Sequence, residues 1–412
     1  MPSLISDTRF LVQKRIDKYE KIVYNDSNGK EPYSFRFRII NVSLYEMKGK
    51  DPAMEKTFIN EKFKHILHGG DYNPDQWQHS PDVLEEDMRL MKLANCNNMS
   101  VGIFAWAKLE PEEGKFDFSY MDKALDDIYA NGGRVFLATP SGARPAWLAR
   151  KYPEVLLTNA DGDRIRFGSR HNHCYTSPIY REKVATINRK LAERYGNHPA
   201  VIGWHISNEY GGNEHKCMCC CELCKAEFRS WLKEKYGTID ELNKQWWSYF
   251  WSHTYPDWDY IDPPMTNGES STHGLKIDWR RFITHQTVDF MKNEIRAVKS
   301  VNPSIPVTTN LMSFFPFLDY REFAKEVDFV SNDLYPAWSG QPSDINVASE
   351  SAAMHDLIRS LKHKPFVLME STPSLVNWHT YNKLKRPGQH EVASLQAVAH
   401  GSAMPRYAMG IA

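Results

Sequence analysis

The chain has 412 residues, of which 42% are hydrophobic and 25% charged, an ordinary globular composition with enough length for a large core. Lys plus Arg total 51 and Asp plus Glu total 51, so there is no net field to favour nucleic acid or an anionic membrane. No stretch of about 18 apolar residues reads as a membrane span, and no apolar leader opens the sequence, so a soluble cytoplasmic protein is expected.

Residues 1–53 mix charge with scattered aromatics (YSFRFRII at 33–40) and show no long helical period. They are expected to be an added N-terminal segment without catalytic role, with Met54 as an alternative start. From 65 onward, short apolar runs alternate with helical periods. HILHGG at 65–70 is a strand candidate running into DYNPDQW, and Ser80-Pro81 then supplies a helix cap followed by Pro at the first helical position. Val83, Leu84, Met88 and Met91 follow on one helical face.

CNNMSVGIF at 96–104 reads as the second strand. Met121, Leu125 and Ile128 mark the next helix, which Gly132-Gly133 stops. RVFLATP at 134–140 is the third strand, and residues 178–195 form an amphipathic helix through Ile179, Val184, Ile187 and Leu191. VIGWHISNE at 201–209 is the fourth strand. A Trp-rich, mostly helical excursion (222–260) and a long helix at 279–301 come next. IPVTTNL (305–311), DFVSNDLY (328–335) and PFVLMES (365–371) are strands five to seven. A helix at 347–362 with little apolar bias separates the last two, and another covers 391–401.

Seven β/α units in succession predict an α/β fold of the (β/α)8 TIM-barrel type rather than an open sheet. No glycine-rich phosphate fingerprint follows any strand, which argues against dinucleotide binding. The final SAMPRYAMGIA is short and poorly patterned, so the barrel is expected to be incomplete at strand eight, leaving strand edges exposed.

Two glutamates close strands: Glu209 after Asn208 on strand four, and Glu370 in LMESTPS on strand seven. Active groups of such barrels sit at the C-terminal strand ends, and strands four and seven face each other across the mouth. Cleaving a glycosidic bond needs two carboxyl groups, one protonating the leaving oxygen while the other is ionised; a separation of about 5 Å makes the second a nucleophile with retained configuration. Taken singly, either residue reads as an ordinary surface glutamate; paired in these contexts, they point to catalysis.

Seven cysteines, five of them within 217–224, do not resemble a disulfide framework. Cys219, Cys221 and Cys224, with Cys174 in the loop before the preceding helix, offer four thiolates for one closed, structural Zn2+ without a catalytic role. Cys217 and Cys220 allow other registers, and Cys217 could replace Cys219. Cys96 reads as a buried strand residue. His205 reads as barrel packing, His171 and His173 as possible hydrogen-bonding neighbours of the Cys174 loop, and His390 as a helix-terminus residue.

The stretches HGGDYNPDQW (68–77), VGIFAWAKLEP (101–111), PAWLARKYPEV (145–155), SNEYGG (207–212), NDLYP (332–336), LMESTPS (368–374) and RPGQH (386–390) lie in the order found in glycoside hydrolase family 42, β-galactosidases whose acid/base is on strand four and nucleophile on strand seven. The chain resembles that family from about 65 to 401. The resemblance implies that Glu209 is the acid/base, Glu370 the nucleophile and Asn208 a partner of the sugar 2-hydroxyl. It implies that Arg170 lies near nucleophile and sugar and helps keep Glu370 ionised, that Trp378 lines the galactose subsite and that Tyr335 contacts the nucleophile. It also implies a β-galactoside substrate, no organic cofactor, and the zinc that several members carry with one upstream ligand and three after the acid/base strand.

The resemblance further implies a catalytic domain at 54–401 and an atypical tail at 402–412, without the trimerisation and C-terminal domains usual in these homotrimers. Two other readings stand beside it: an inactive or weakly sugar-binding homologue, and another β-glycosidase of the same clan.

Overall fold

The computed structural model describes residues 66–407 apart from 214–216, 270, 339–342, 373–375 and 377–383. The segment 1–53 and Trp378 lie outside the described residues.

Parallel strands alternate with helices along the described chain. β1 is Gly69–Tyr72, α1 Pro81–Leu93, β2 Asn98–Val101, α2 Ser119–Ala130, β3 Arg134–Ala138, α3 Pro178–Tyr195 and β4 Val201–His205. An excursion with helices Glu222–Tyr236 and Ile239–Trp246 precedes the long α4, His273–Lys299. Strand β5 comes in two pieces, Val307–Thr308 and Asn310–Leu311, and is followed by α5 (Tyr320–Glu326) and β6 (Ser331–Leu334). Then come α6 (Asp344–Ser360), β7 (Phe366–Ser371), α7 (Gln389–Ala399) and β8 (Ser402–Tyr407).

All strand pairings are parallel, and the sheet begins and ends on the two pieces of β5. Only Thr309 separates those ends, so the sheet closes on itself as a TIM barrel. SAMPRY, from which no complete strand was expected, is β8. It pairs with β1 at Gly69↔Arg406 and Gly70↔Tyr407, and with β7 at Phe366↔Ser402 and Leu368↔Pro405, with a register shift. The expectation of a missing or degraded strand eight is therefore corrected to a strand that is present and held by two registered pairs on each side. Pro405 lacks the N–H of a regular ladder, which explains both the weak pattern and the shift.

Alternation sorts the strand residues into two layers. Phe136, Ile202, Phe329, Val367 and Met369 pack together inside the barrel, while Val135, Leu137, Trp204 and Leu368 join the outer core beneath the helices. Gly203 is required where it stands: a Cβ there would come within 2.7 Å of the Phe136 ring. Helix α3 starts at Pro178 after Ser177, whose hydroxyl accepts the Tyr180 N–H. Ser80 occupies the corresponding place before α1 but makes no capping hydrogen bond. The weak apolar signal of α6 has a local cause, because its buried face alternates Val347 and Ile358 with Ser351 and His355. None of the described helices is long and apolar enough to cross a membrane.

The excursion is tied to α4 by one buried carboxylate. Asp278 is 1% exposed and accepts from Lys235, from Tyr236 Oη at 2.5 Å, Trp246 Nε1 at 3.0 Å and Arg281 Nη1 at 3.0 Å. Burial alone would raise its pKa, but these donors outweigh burial and hold it below the usual range. Replacing it leaves four donors with a weaker acceptor. Asp278→Asn is expected to destabilise the chain by about 2–4 kcal/mol at pH 7 in urea unfolding. Because the folded pKa is depressed, the carboxylate's contribution is complete above about pH 4 and is lost as pH falls through the folded value. The difference between parent and variant should therefore shrink below about pH 4.

Candidate active site

Beyond β4 the backbone turns sharply through left-handed conformations at Ser207 (φ 55°) and Glu209 (φ 39°), which L-residues adopt only under constraint. The ladder still holds Ile206, whose N–H reaches Thr308 O at 2.7 Å. The Ser207 N–H is taken by Thr139 Oγ1 at 2.7 Å and the Glu209 N–H by Asn310 Oδ1 at 2.8 Å. The turn presents the Glu209 side chain to the barrel mouth, where it is 9% exposed.

Glu370 reaches the same place from β7. Between β6 and β7 the register jumps from Asn332↔Leu368 to Asp333↔Glu370, so Met369 is an extra residue in the ladder. A bulge of this kind re-aims the side chain beside it. At least one carboxylate oxygen each of Glu209, Asp333 and Glu370 lies within 4.8 Å of the others, and all three residues are buried. So close an approach suits the retaining arrangement, in which the two working carboxyls stand about 5 Å apart, rather than the inverting one at about 6.5–9.5 Å.

One amide holds the cluster together. Asn310 Nδ2 lies 2.9 Å from Asn208 Oδ1, 2.6 Å from Asp333 Oδ2 and 2.9 Å from Glu370 Oε1. Its Oδ1 accepts the Glu209 N–H and lies 2.9 Å from His205 Nε2. Tyr335 Oη donates to Glu370 Oε2. Burial pushes the Glu370 pKa well above the usual carboxylate range, and the charges of Asp71 and Glu209 add to this; Tyr335 and Arg170 pull it down. Asp333 is likewise pushed well up, by burial first and then by Glu370 and Glu209. The cluster therefore retains a proton that isolated carboxylates would give up.

Arg170 differs from expectation in its direct partner. Its Nη2 lies 2.7 Å from Glu209 Oε2 and its Nε donates to Gly212 O at 3.1 Å, whereas Glu370 feels its charge only through space. Tyr335 contacts Glu370, and Asn208 meets the Asn310 amide through its Oδ1. His205 is a fully buried barrel residue. His171 sits against Tyr175 Oη at 3.3 Å; burial first, and then Arg170, push its pKa down to about 3, leaving it neutral. His173 packs against Tyr180 with ring centroids 4.2 Å apart and planes tilted by 30°. Asn310, Asp333 and Asp71 were not singled out from the sequence. The signal that found Glu209, a polar residue ending an apolar run, is weaker in TTNL, SNDL and GGDY, where the neighbouring residues are themselves polar or glycine.

The second constellation is a thiol cluster. Sγ atoms of Cys174, Cys219, Cys221 and Cys224 lie within 4.8 Å of one another, with Cys174 at 3.6 Å from Cys221 and 3.5 Å from Cys224. A tetrahedral Zn2+ with Zn–S bonds of about 2.3 Å sets its sulfurs about 3.8 Å apart, so these residues fit the ion. Thr158 N–H reaches Cys219 Sγ at 3.4 Å, and Thr176 Oγ1 lies 3.1 Å from Cys224 Sγ. Cys217 turns instead toward Tyr175 Oη at 3.5 Å, and Cys220 is buried outside the four-sulfur group.

The chain matches the glycoside hydrolase family 42 β-galactosidase family model over residues 71–407, past Gly401 where the resemblance was expected to stop. It is 58% identical to β-galactosidase BglY of Alicyclobacillus acidocaldarius over 83% of this chain and 49% of that one. It is 54% identical to GanA of Bacillus subtilis over 82% of this chain and 51% of the relative. The chain thus spans about half the length of the curated relatives it matches. Among solved structures, the Rahnella sp. R3 β-galactosidase superposes with a TM-score of 0.82 at 54% identity, covering 85% of this chain and 51% of that one. The Halorubrum lacusprofundi β-galactosidase gives 0.78 at 31% identity, covering 83% and 52%.

The carboxylate cluster costs stability. Because the folded pKa of Glu370 is raised, its ionisation penalty is absent below about pH 4 and grows as pH rises toward the folded value. Glu370→Gln keeps the shape and removes that charge. It should unfold at a higher temperature than the parent at pH 8, by an amount on the order of 1–3 kcal/mol, with the gain vanishing toward pH 4. A thermal scan across pH checks this; a variant less stable at pH 8 would contradict it.

Proposed function

This chain belongs to glycoside hydrolase family 42, and we propose that it hydrolyses terminal β-D-galactosyl residues with retention of configuration, using Glu209 and Glu370. The observation that carries the reading is the approach of those two strand-end carboxylates to within 4.8 Å in one buried cluster. Glu209 protonates the leaving oxygen while Glu370 attacks the anomeric carbon; Glu209, now a base, then activates the water that releases the sugar. Asp333, whose pKa is pushed up by burial and then by Glu370 and Glu209, stands in the same buried cluster. The Tyr335 hydroxyl favours the ionised Glu370 that the attack requires. Arg170 anchors the Glu209 carboxylate, Asn208 is available to the sugar 2-hydroxyl, and Trp378 is assigned to the galactose subsite on the sequence motif alone.

Glu370→Ala should lose about 10⁴-fold or more of its turnover of an aryl β-galactoside, and NMR of the first-formed product should show the β-anomer. Undiminished turnover, or inverted product, would sink the assignment. A panel of aryl β-glycosides tests the sugar: preference for another glycoside would move the chain to a different specificity within the same chemistry.

The four thiolates of Cys174, Cys219, Cys221 and Cys224 are proposed to hold a structural Zn2+. A closed four-sulfur site keeps no open position for water, so its contribution is mechanical: it ties the chain leaving β4 to the loop before α3. Reduced thiols suit a reducing compartment, and the chain is assigned to the cytoplasm. About one zinc per chain is expected by elemental analysis, and chelation or Cys174→Ser should lower the melting temperature. Unchanged melting after complete metal removal would refute the site.

A further inference from the structure

Glu294, on α4, is fully buried and makes no ion pair among the described residues. A carboxylate buried without a cation survives only if donors surround it, and four do. Its Oε1 accepts from Ser141 Oγ at 2.8 Å and Tyr210 Oη at 2.7 Å; its Oε2 accepts from Thr139 Oγ1 at 2.8 Å and Asn188 Nδ2 at 3.0 Å. The donors come from the end of β3, from α3 and from the turn after β4.

Two of these donors bear on the residues either side of Glu209. Tyr210 is its neighbour, and Thr139 is the residue that accepts the Ser207 N–H at 2.7 Å. The Thr139 hydroxyl has one proton. Giving it to Glu294 fixes the rotor, so that a lone pair is left facing Ser207. Ser207 and Glu209 hold positive φ, a conformation that persists only where the surroundings over-determine it. Glu294 supplies the fixed acceptor on which both flanks of the turn depend, yet none of its hydrogen bonds is to Glu209, Asp333 or Glu370.

We propose that Glu294 is a positioning residue for Glu209, holding the Ser207–Tyr210 turn so that the Glu209 carboxyl meets the leaving-group oxygen. This rests on the reading of Glu209 as acid/base. Glu294→Gln conserves shape but replaces one oxygen by an amide nitrogen, which faces Asn188 Nδ2 or a hydroxyl proton and so breaks the pattern. Tyr210→Phe removes one of the four donors and covers the case in which the first variant does not fold.

The test uses the intact chain and two galactosides. A methyl β-galactoside needs protonation of its leaving oxygen, whereas a 2,4-dinitrophenyl β-galactoside has a leaving group that departs without it. kcat/KM is measured for each per active site, with sites counted by the dinitrophenolate burst. In Glu294→Gln the methyl galactoside should fall by about 30-fold or more and the dinitrophenyl galactoside by less than about threefold. Tyr210→Phe should show the same split at a smaller amplitude. Equal falls for both substrates, or none, would overturn the proposal, since a merely structural role reduces both alike. Glu209→Ala must show the split most strongly; without it there, the acid/base reading fails, and the positioning role falls with it.

Discussion

The barrel mouth is governed by the demand of one amide and three buried carboxyl groups on each other. Asn310 lies between Asn208, Asp333 and Glu370 through one nitrogen and between the Glu209 N–H and His205 through its oxygen. Without such a donor, carboxylates a few ångströms apart in a low-dielectric site repel and either protonate or drift apart. With it, β4, β5, β6 and β7 meet at one point, and the separation of Glu209 and Glu370 becomes a property of the scaffold rather than of two flexible side chains.

The turn that carries Glu209 is strained and is held from several sides. Asn310 takes the Glu209 N–H, Thr139 takes that of Ser207, and Arg170 clamps both the Glu209 carboxylate and Gly212 O. Farther out, the thiol cluster gathers Cys219, Cys221 and Cys224 against Cys174, tying down the segment into which the turn runs. The four-sulfur group and the carboxylate cluster share no residue.

How much of this was legible follows from which signals are local. Glu209 and Glu370 were readable because each ends a clear apolar run, VIGWHI and PFVLM. Asp333 and Asn310 end runs of the same kind, but SND and TTN are too polar at their own ends to make one residue stand out. Strand eight was missed because Pro405 and two glycines interrupt its neighbourhood, and one of its two partner strands, β1, lies over 300 residues away. Glu294 was invisible for a different reason. On a 27-residue helix a glutamate reads as solvent-facing, and only the packing of α4 against α3, with Tyr180 stacked on Phe290 at 5.6 Å, turns it inward. Arg170 was identified, but its choice between two carboxylates a few ångströms apart is tertiary information.

Several irregularities of the sheet fall where the chemistry is assigned, and these have a physical basis. β5 is broken at Thr309, next to Asn310; β7 carries an extra residue at Met369, next to Glu370; β4 ends in two left-handed residues around Asn208. A regular strand points alternate residues to opposite faces, so consecutive strands would send some of these groups outward toward the helices. Breaks, bulges and left-handed turns shift that phase locally, and a parallel barrel tolerates them at its C-terminal rim because the ladder is ending there. The irregularities remove backbone hydrogen bonds and add strain, costs that the hydrophobic layers of Phe136, Ile202, Phe329, Val367 and Met369 beneath the rim offset. The position of the reactive groups is therefore inseparable from the packing one layer below them.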